Sequence, residues 1–476
     1  MADCCSTGGS RNGGYDLAVI GAGSAGFSAA IAAAEQGAQV ALIGHGTIGG
    51  TCVNVGCVPS KTMIRAAEAL HGARAASRFP GLVGEAHVAD WRTLIAAKDD
   101  LVSTLRQKKY VDLLPEYNGV AYLEGAARFN AAGLQVNGKS LHADKIIIAT
   151  GASPALPEIA GIEDVSYLTS TSALELTELP RSFLVIGGGY IGCELAQMFA
   201  RAGTAVTLVT RSRLLPEADP EISGALTRCL ADDGITVRSG LAYSLIEQRG
   251  GNIALTIDVN GEKETLTAEQ VLVTTGRTPN TAGIGLEESG IRLAPNGGIV
   301  VDDRMRTTRP GVYAAGDVTG RDQFVYMAAY GAKLAACNAL NGDSLVYDNA
   351  AMPWVVFTDP QVAGVGLSEA AAKAAGFVTK TSIVPLDQVP RALAARDTRG
   401  LIKLVADATS DRLLGGQILA PEGADSIQTL ALALKHGMTA QALAEMIFPY
   451  LTTVEGLKLA AQGFCKDVTK LSCCAG

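Results

Sequence analysis

The feature that most narrows the fold is a motif that occurs twice. Tyr15 to Ile20 is an apolar, strand-like run entering Gly21, Gly23 and Gly26, then an alanine-rich helix to Gln36, Gly37 and a second strand from Gln39 to Ile43. Ser182 to Ile186 opens the same pattern again, with Gly187, Gly189 and Gly192, a helix to Arg201, Gly203 and a strand from Ala205 to Thr210. The glycines allow a tight turn and the close approach of a pyrophosphate to the helix N-terminus. One such fingerprint is weak evidence, but two, each framed by strand and helix, imply two dinucleotides and hydride passing between them. The second copy ends in Thr210, Arg211, Ser212 and Arg213, which suits a ribose 2′-phosphate and favours NADPH over NADH; solvated arginines are the alternative. The first copy lacks the acid that would hold a ribose 2′-hydroxyl, because Gly44 and His45 stand there.

Directly after the first copy comes GGTCVNVGCVPSK, Gly49 to Lys61, with Cys52 and Cys57. An unbroken α-helix would separate positions i and i+5 by about 7.5 Å of rise and turn them to different faces, outside disulphide geometry. Gly56 permits the necessary distortion, and Pro59 sits where a first helical turn accepts proline, so the pair is expected at the start of a helix through Lys61 and Arg65. Amide groups and helix dipole there favour a thiolate. A redox dithiol is the reading; two buried cysteines or half a metal site are the alternatives.

The remaining sequence restricts the setting. A chain of 476 residues with 48% hydrophobic and 18% charged residues can bury two or three cores. A net charge of −8 argues against nucleic acid or anionic membrane as partner and leaves small-molecule chemistry. Ten cysteines over this length are too sparse for a secreted disulphide scaffold, so a reducing, cytoplasmic setting is expected. Leu17 to Ala34 is uncharged, yet its glycines make it strand, turn and helix and not a membrane span. Residues 1–14 read as a flexible tail, in which Cys4 and Cys5 are either a soft-metal scavenger or incidental. Ala66 to Lys109 reads as largely helical, and Cys193, Cys229, Cys337 and Cys465 read as packing residues.

The dithiol with its flanks and the doubled fingerprint resemble the flavin-dependent pyridine nucleotide disulphide oxidoreductases, from Tyr15 nearly to the end. The resemblance implies an α/β fold with two Rossmann-like domains, the NADPH domain inserted in the FAD domain, and a C-terminal α+β dimerisation domain. The boundaries expected are 15–151 and 276–348 for FAD, 152–275 for NADPH and 349–476 for dimerisation. By resemblance FAD is met by Gly21, Gly23, Gly26, Gly46, Gly50, Thr51, Lys61, Ala127, Thr150, Gly151, Asp317, Gln323 and Val325. NADPH is met by Gly187, Gly189, Gly192, Arg211, Arg213 and Gly276. Tyr190 resembles the residue covering the nicotinamide face, with a packing tyrosine as alternative, and Lys61 and Glu194 fall where a pair lies beside the flavin. Cys57 would be nearer the flavin and Cys52 nearer solvent.

Members that reduce glutathione disulphide or oxidise dihydrolipoamide carry a His and Glu dyad near the C-terminus. Here Glu455 is present but Tyr450 holds the histidine's place, and a phenol with an ordinary pKa near 10 is poorly matched to thiol proton transfer at neutral pH. The chain ends in Cys473, Cys474, Ala475 and Gly476. Adjacent cysteines form only a strained ring, whereas two adjacent thiolates hold a soft metal ion. With Tyr450, Glu455 and the dithiol, this tail resembles the members that reduce Hg(II). Cys473 and Cys474 would then take Hg(II) from external thiols and pass it to Cys52 and Cys57, in a homodimer with shared active sites. A general NADPH disulphide reductase or dihydrolipoamide dehydrogenase-like enzyme, an Hg(II)-sequestering flavoprotein and a non-redox flavoprotein are the rival readings; the doubled fingerprints argue against the sequestering protein, and the non-redox flavoprotein leaves the dithiol and both cysteine pairs unexplained.

Overall fold

The computed structural model describes residues 14–130 and 133–470, which gather into two compact units. The first unit comprises residues 14–59, 99–153 and 277–348. Its centre is a five-stranded parallel sheet in the order Val312–Ala314, Ala143–Ile148, Tyr15–Ile20, Val40–Gly44, Val120–Glu124. The strands Tyr15–Ile20 and Val40–Gly44 are almost wholly buried, as continuous apolar runs in a sheet covered on both faces must be. The helices Ser24–Ala34 and Val325–Asn341 pack on one another along alanine and glycine, which lets their backbones come close. The run that was a candidate span by hydropathy is thus strand, turn and helix, and no helix among the described residues is long and apolar enough to cross a membrane.

The second unit holds residues 60–98, 154–276 and 349–470. It repeats the parallel arrangement as Thr236–Ser239, Ala205–Thr210, Ser182–Ile186, Gln270–Val273, and adds an antiparallel meander of Ala242–Arg249, Asn252–Val259 and Glu262–Ala268. Its C-terminal part is a five-stranded antiparallel sheet, Pro353–Val356, Gln361–Gly366, Leu413–Ala420, Leu401–Asp407, Thr379–Pro385, with the helices Gly423–Lys435 and Glu455–Gln462 against it. The stretch Ala66 to Lys109, expected to be largely helical, is so with one interruption. Helix Cys57–Arg74 ends in one tight turn, Ala75–Arg78, and helix resumes only at Trp91–Arg106. Pro80 and Gly81 break the run between them, Gly81 at φ +91°.

Beneath the C-terminal sheet Lys403 is 1% exposed. Its ammonium donates to Glu369 at 2.8 Å and Glu221 at 2.9 Å, and lies 3.5 Å from the buried Asp219. Burial pulls the lysine down, but these carboxylates outweigh it and hold the group protonated. Lys403→Met should therefore cost about 3–5 kcal/mol by leaving Asp219 buried without its cation. Adding Asp219→Asn should recover much of the loss in the denaturation midpoint, and a double variant no more stable than the single would show the two side chains to be uncoupled.

Candidate functional site

Both fingerprints divide the labour among their glycines in the same way. A Cβ on Gly21 would lie 2.2 Å from the Ala149 carbonyl oxygen, and one on Gly26 would lie 1.7 Å from that of Gly21. In the second copy the corresponding distances are 2.5 Å from Gly187 to Thr274 and 1.9 Å from Gly192 to Gly187. The outer glycines are thus demanded by the protein itself, for the turn and for packing helix against strand. The middle ones are not: Gly189 has no atom within 4 Å of a Cβ, and Gly23 nothing nearer than 3.5 Å. Space is left where a pyrophosphate would approach an uncapped helix N-terminus, so the residues present fit a dinucleotide at each copy.

The first turn is joined to the dithiol segment through the backbone. The Gly49 amide donates to the Ala22 carbonyl at 2.9 Å, Gly23 and Gly49 form a bridge, and a Cβ on Gly50 would lie 2.6 Å from Gly23 Cα. Cys52 lies in the short helix Gly50–Asn54, beside the exposed Thr51, and Cys57 is the first residue of the helix Cys57–Arg74, which carries Lys61 one turn on. The pair is therefore split between two helices. Gly56 makes the break possible, since a Cβ there would meet the Thr51 carbonyl at 2.9 Å and Cys52 Cα at 3.3 Å. Asn54 straps the short helix by donating to the carbonyls of Ile48 and Gly50 at 2.9 and 2.8 Å, and Arg106 donates to Asn54 at 3.0 Å.

Tyr110, in a π-helical turn Gln107–Val111, packs edge-on against Phe27 and its hydroxyl is 3.4 Å from that of Ser24. Burial raises its pKa, Ser24 opposes, and the charges of Cys52 and Cys57 raise it further, so this phenol lies within electrostatic reach of both sulphurs. Nothing in the sequence around Tyr110 signals that role, apart from the aromatic itself.

The other residues expected at the first cofactor lie in the same unit. Gly46, at φ +84°, has open space where a Cβ would be, and Ala127 opens the strand Ala127–Asn130. Thr150 and Gly151 are strapped to Asn280: the threonine hydroxyl donates to the Asn280 carbonyl at 2.8 Å, and the Asn280 amide to the Gly151 carbonyl at 2.9 Å. Asp317 follows Gly316, whose added Cβ would meet Ala25 and Ala328 at 3.1 and 3.2 Å, between the two packed helices. Burial raises the Asp317 carboxyl, Arg277 opposes from 3.8 Å, and burial in turn lowers the guanidinium. Gln323 lies two residues before the helix that Val325 begins.

In the second unit Lys61 donates to the buried Glu194 at 2.7 Å and lies over the Phe357 ring at 4.8 Å from its centre. The second carboxylate oxygen of Glu194 accepts the Phe357 amide at 2.9 Å. Tyr190 begins the fingerprint helix and stacks on Trp354 with ring centres 5.8 Å apart; burial pushes its hydroxyl up to about 12. Trp354 can lie flat because its cross-strand partner is Gly364, where any Cβ would enter the indole. Arg211 and Arg213 are both exposed, but Arg213 donates to the carbonyls of Pro216 and Ala218 at 2.7 and 2.8 Å. Gly276 has open space around it at φ +120°.

Glu455 opens the helix Glu455–Gln462 and accepts the Leu451 amide at 3.1 Å, while Thr452 accepts that of Glu455 at 3.3 Å. This reciprocal pair ties down the turn that carries Tyr450, which is 47% exposed. Cys193 and Cys229 are packing residues as expected, and burial raises both thiols, Cys229 to about 11. Cys337 is half-buried, and Cys465 is exposed, contrary to expectation, because it lies past the end of that last helix. Cys4, Cys5, Cys473 and Cys474 lie outside the described residues.

Comparison with known proteins agrees with this geometry. The model of the family described as pyridine nucleotide-disulphide oxidoreductase matches residues 15–335, and that of its dimerisation domain matches 352–461. The mercuric reductase of Staphylococcus aureus is 48% identical over 98% of this chain and 85% of its own length. That of Streptomyces lividans is 46% identical over 97% and 99%. Among solved structures, the HOCl-induced flavoprotein disulfide reductase RclA from Escherichia coli is 30% identical, with TM-score 0.82 over 94% of this chain and 99% of its own. LpdA from Mycobacterium tuberculosis is 27% identical, with the same TM-score and the same coverage of each chain.

Proposed function

Since this chain belongs to the pyridine nucleotide-disulphide oxidoreductase family, we propose that it reduces Hg(II) to Hg(0) with NADPH, through FAD and the Cys52 and Cys57 pair. The observation that carries the redox part is the backbone junction of the dithiol segment to the first fingerprint turn. The metal is supported by the shared name of the relatives and by the terminal Cys473 and Cys474. Residues 15–151 and 276–348 bind FAD, 152–275 bind NADPH and 349–476 form the dimerisation domain, in a cytoplasmic setting that keeps external thiols reduced.

When bound, FAD supplies a two-electron relay between NADPH and the metal. Gly23 and Gly189 give their pyrophosphates room, and Glu194, fixed from both sides, orients Lys61 as a positive charge beside the flavin. Cys52 and Cys57 hold Hg(II) as a dithiolate, having displaced the thiolates that delivered it. The balance is a bis-thiolate Hg(II) complex, NADPH and one proton giving Hg(0), NADP⁺ and two thiols; Hg(0) leaves because it has little affinity for thiolate. The test is NADPH oxidation with and without Hg(II) under excess thiol, with mercury vapour measured. Hg(II)-dependent oxidation with vapour is expected, and slow turnover of glutathione disulphide and lipoamide. Stoichiometric metal uptake without vapour, or rapid lipoamide turnover, would overturn the reading.

Arg211 is the side chain available for the 2′-phosphate, since Arg213 is committed to carbonyls. Arg211→Glu should weaken NADPH by roughly 1.5–3 kcal/mol while changing NADH far less. Equal loss with both coenzymes would exclude a phosphate contact.

The homodimer has a surface suited to it, because Ile447 is 96% exposed and Met446, Tyr450 and Leu451 are exposed beside it. In the arrangement proposed, the tail of one subunit serves the dithiol of the other. Mixing Cys57→Ala dimers with dimers carrying Cys473→Ala and Cys474→Ala should then restore activity, each mixed dimer having one complete site. Mixed dimers shown to have formed but inactive would place delivery within one subunit.

A further inference from the structure

Gly44 ends the second strand of the first fingerprint, where an acid would hold the adenosine ribose, and the structure shows what replaces it. A Cβ on Gly44 would lie 2.3 Å from the Tyr122 hydroxyl oxygen and 2.7 and 2.8 Å from the ring carbons behind it. The backbone at Gly44 lies outside the left-handed region, so the restriction is steric and comes wholly from Tyr122. Tyr122 belongs to the adjacent parallel strand Val120–Glu124, paired Leu42 with Tyr122 and Gly44 with Glu124. Residues two apart on a strand share a face, so Tyr122 reaches along that face toward the strand end and enters the notch left by the missing side chain. Its ring is half-buried, and its hydroxyl makes no hydrogen bond to any described residue. Burial and the Glu124 carboxylate both raise its pKa, so it stays a neutral phenol.

We propose that the adenosine ribose of FAD is held in this chain from the neighbouring strand, the Tyr122 hydroxyl in the Gly44 notch hydrogen-bonding a ribose hydroxyl in place of a strand-end carboxylate. One oxygen without charge replaces two with charge. This rests on the first fingerprint binding FAD, as proposed above.

The test is FAD release from the holoprotein, read as recovery of free flavin fluorescence on dilution. Tyr122→Phe removes only a hydroxyl that no described residue uses, so the fold stays intact, and the dissociation constant should rise about fivefold to tenfold. Gly44→Glu alone should also weaken FAD, because its side chain meets the phenol. Combined with Tyr122→Ala, which clears the notch, the same Gly44→Glu should bring the constant back toward the parent's. FAD lacking the adenosine 2′-hydroxyl should bind the parent more weakly and Tyr122→Phe no more weakly than FAD itself does. Unchanged release from Tyr122→Phe, loss caused instead by Glu124→Gln, or Gly44→Glu alone holding FAD as tightly as the parent would each overturn the inference. A parent protein that retains no FAD would sink the proposed function itself, a separate outcome.

Discussion

Cys57→Ser is expected to lower Hg(II)-dependent NADPH oxidation on the order of a thousandfold or more, as loss of an essential nucleophilic ligand does. Hg(II) is soft and binds thiolate far better than hydroxyl, so the variant keeps one ligand of two. The structure also separates the two cysteines. Cys57 is the first residue of an 18-residue helix, whose dipole stabilises a thiolate at its N-terminus, whereas Cys52 lies within a helix of 5 residues. Reduction of the holoprotein by NADPH should therefore give a long-wavelength charge-transfer absorbance between thiolate and flavin that Cys57→Ser abolishes and Cys52→Ser keeps. Loss of the band in the Cys52 variant with retention in the Cys57 variant would reverse the roles. Both variants should lose turnover, since each removes a metal ligand.

Gly26→Ala and Gly23→Ala should both empty the first cradle, for different reasons. A methyl on Gly26 falls 1.7 Å from the Gly21 carbonyl oxygen, so the turn must open. Overpacking of this kind costs typically about 1–3 kcal/mol even where side chains can move, and here the obstacle is backbone. Loss of FAD with a lowered melting temperature of the apoprotein is expected. A methyl on Gly23 meets nothing nearer than 3.5 Å, so the apoprotein should melt as the parent does while its affinity for FAD collapses. FAD retention by Gly23→Ala at the parent's level would show that no pyrophosphate approaches there. The second copy should repeat the contrast, with Gly192→Ala disturbing the fold and Gly189→Ala affecting only NADPH.

Local chemistry made much of this readable from residues alone. The spacing of Gly21, Gly23 and Gly26 and of Gly187, Gly189 and Gly192, with apolar runs before each, specified two parallel folds, because a tight turn and its helix are decided by neighbours in sequence. The need for a distortion between Cys52 and Cys57, which Gly56 permits, followed from helix geometry and agrees with the break found there. Hydropathy could not show the interruption between Arg74 and Trp91, since Pro80 and Gly81 stand among residues that otherwise suit a helix.

What the tertiary structure alone decided are contacts between residues far apart in the chain. Tyr110 against Phe27 and Ser24, Arg106 on Asn54, Phe357 on Glu194, Trp354 under Tyr190 and the buried Lys403 cluster carry no local signal. Arg211 and Arg213 look equivalent in sequence, and only the carbonyls of Pro216 and Ala218 distinguish them. Gly44 reads in sequence as a missing acid, and becomes a notch filled by Tyr122 only once two strands are laid in register. Turn and helix signals reside in short-range sterics that a linear pattern records, whereas these side chains take their partners from sheet register and helix packing, which bring together positions that no periodicity links.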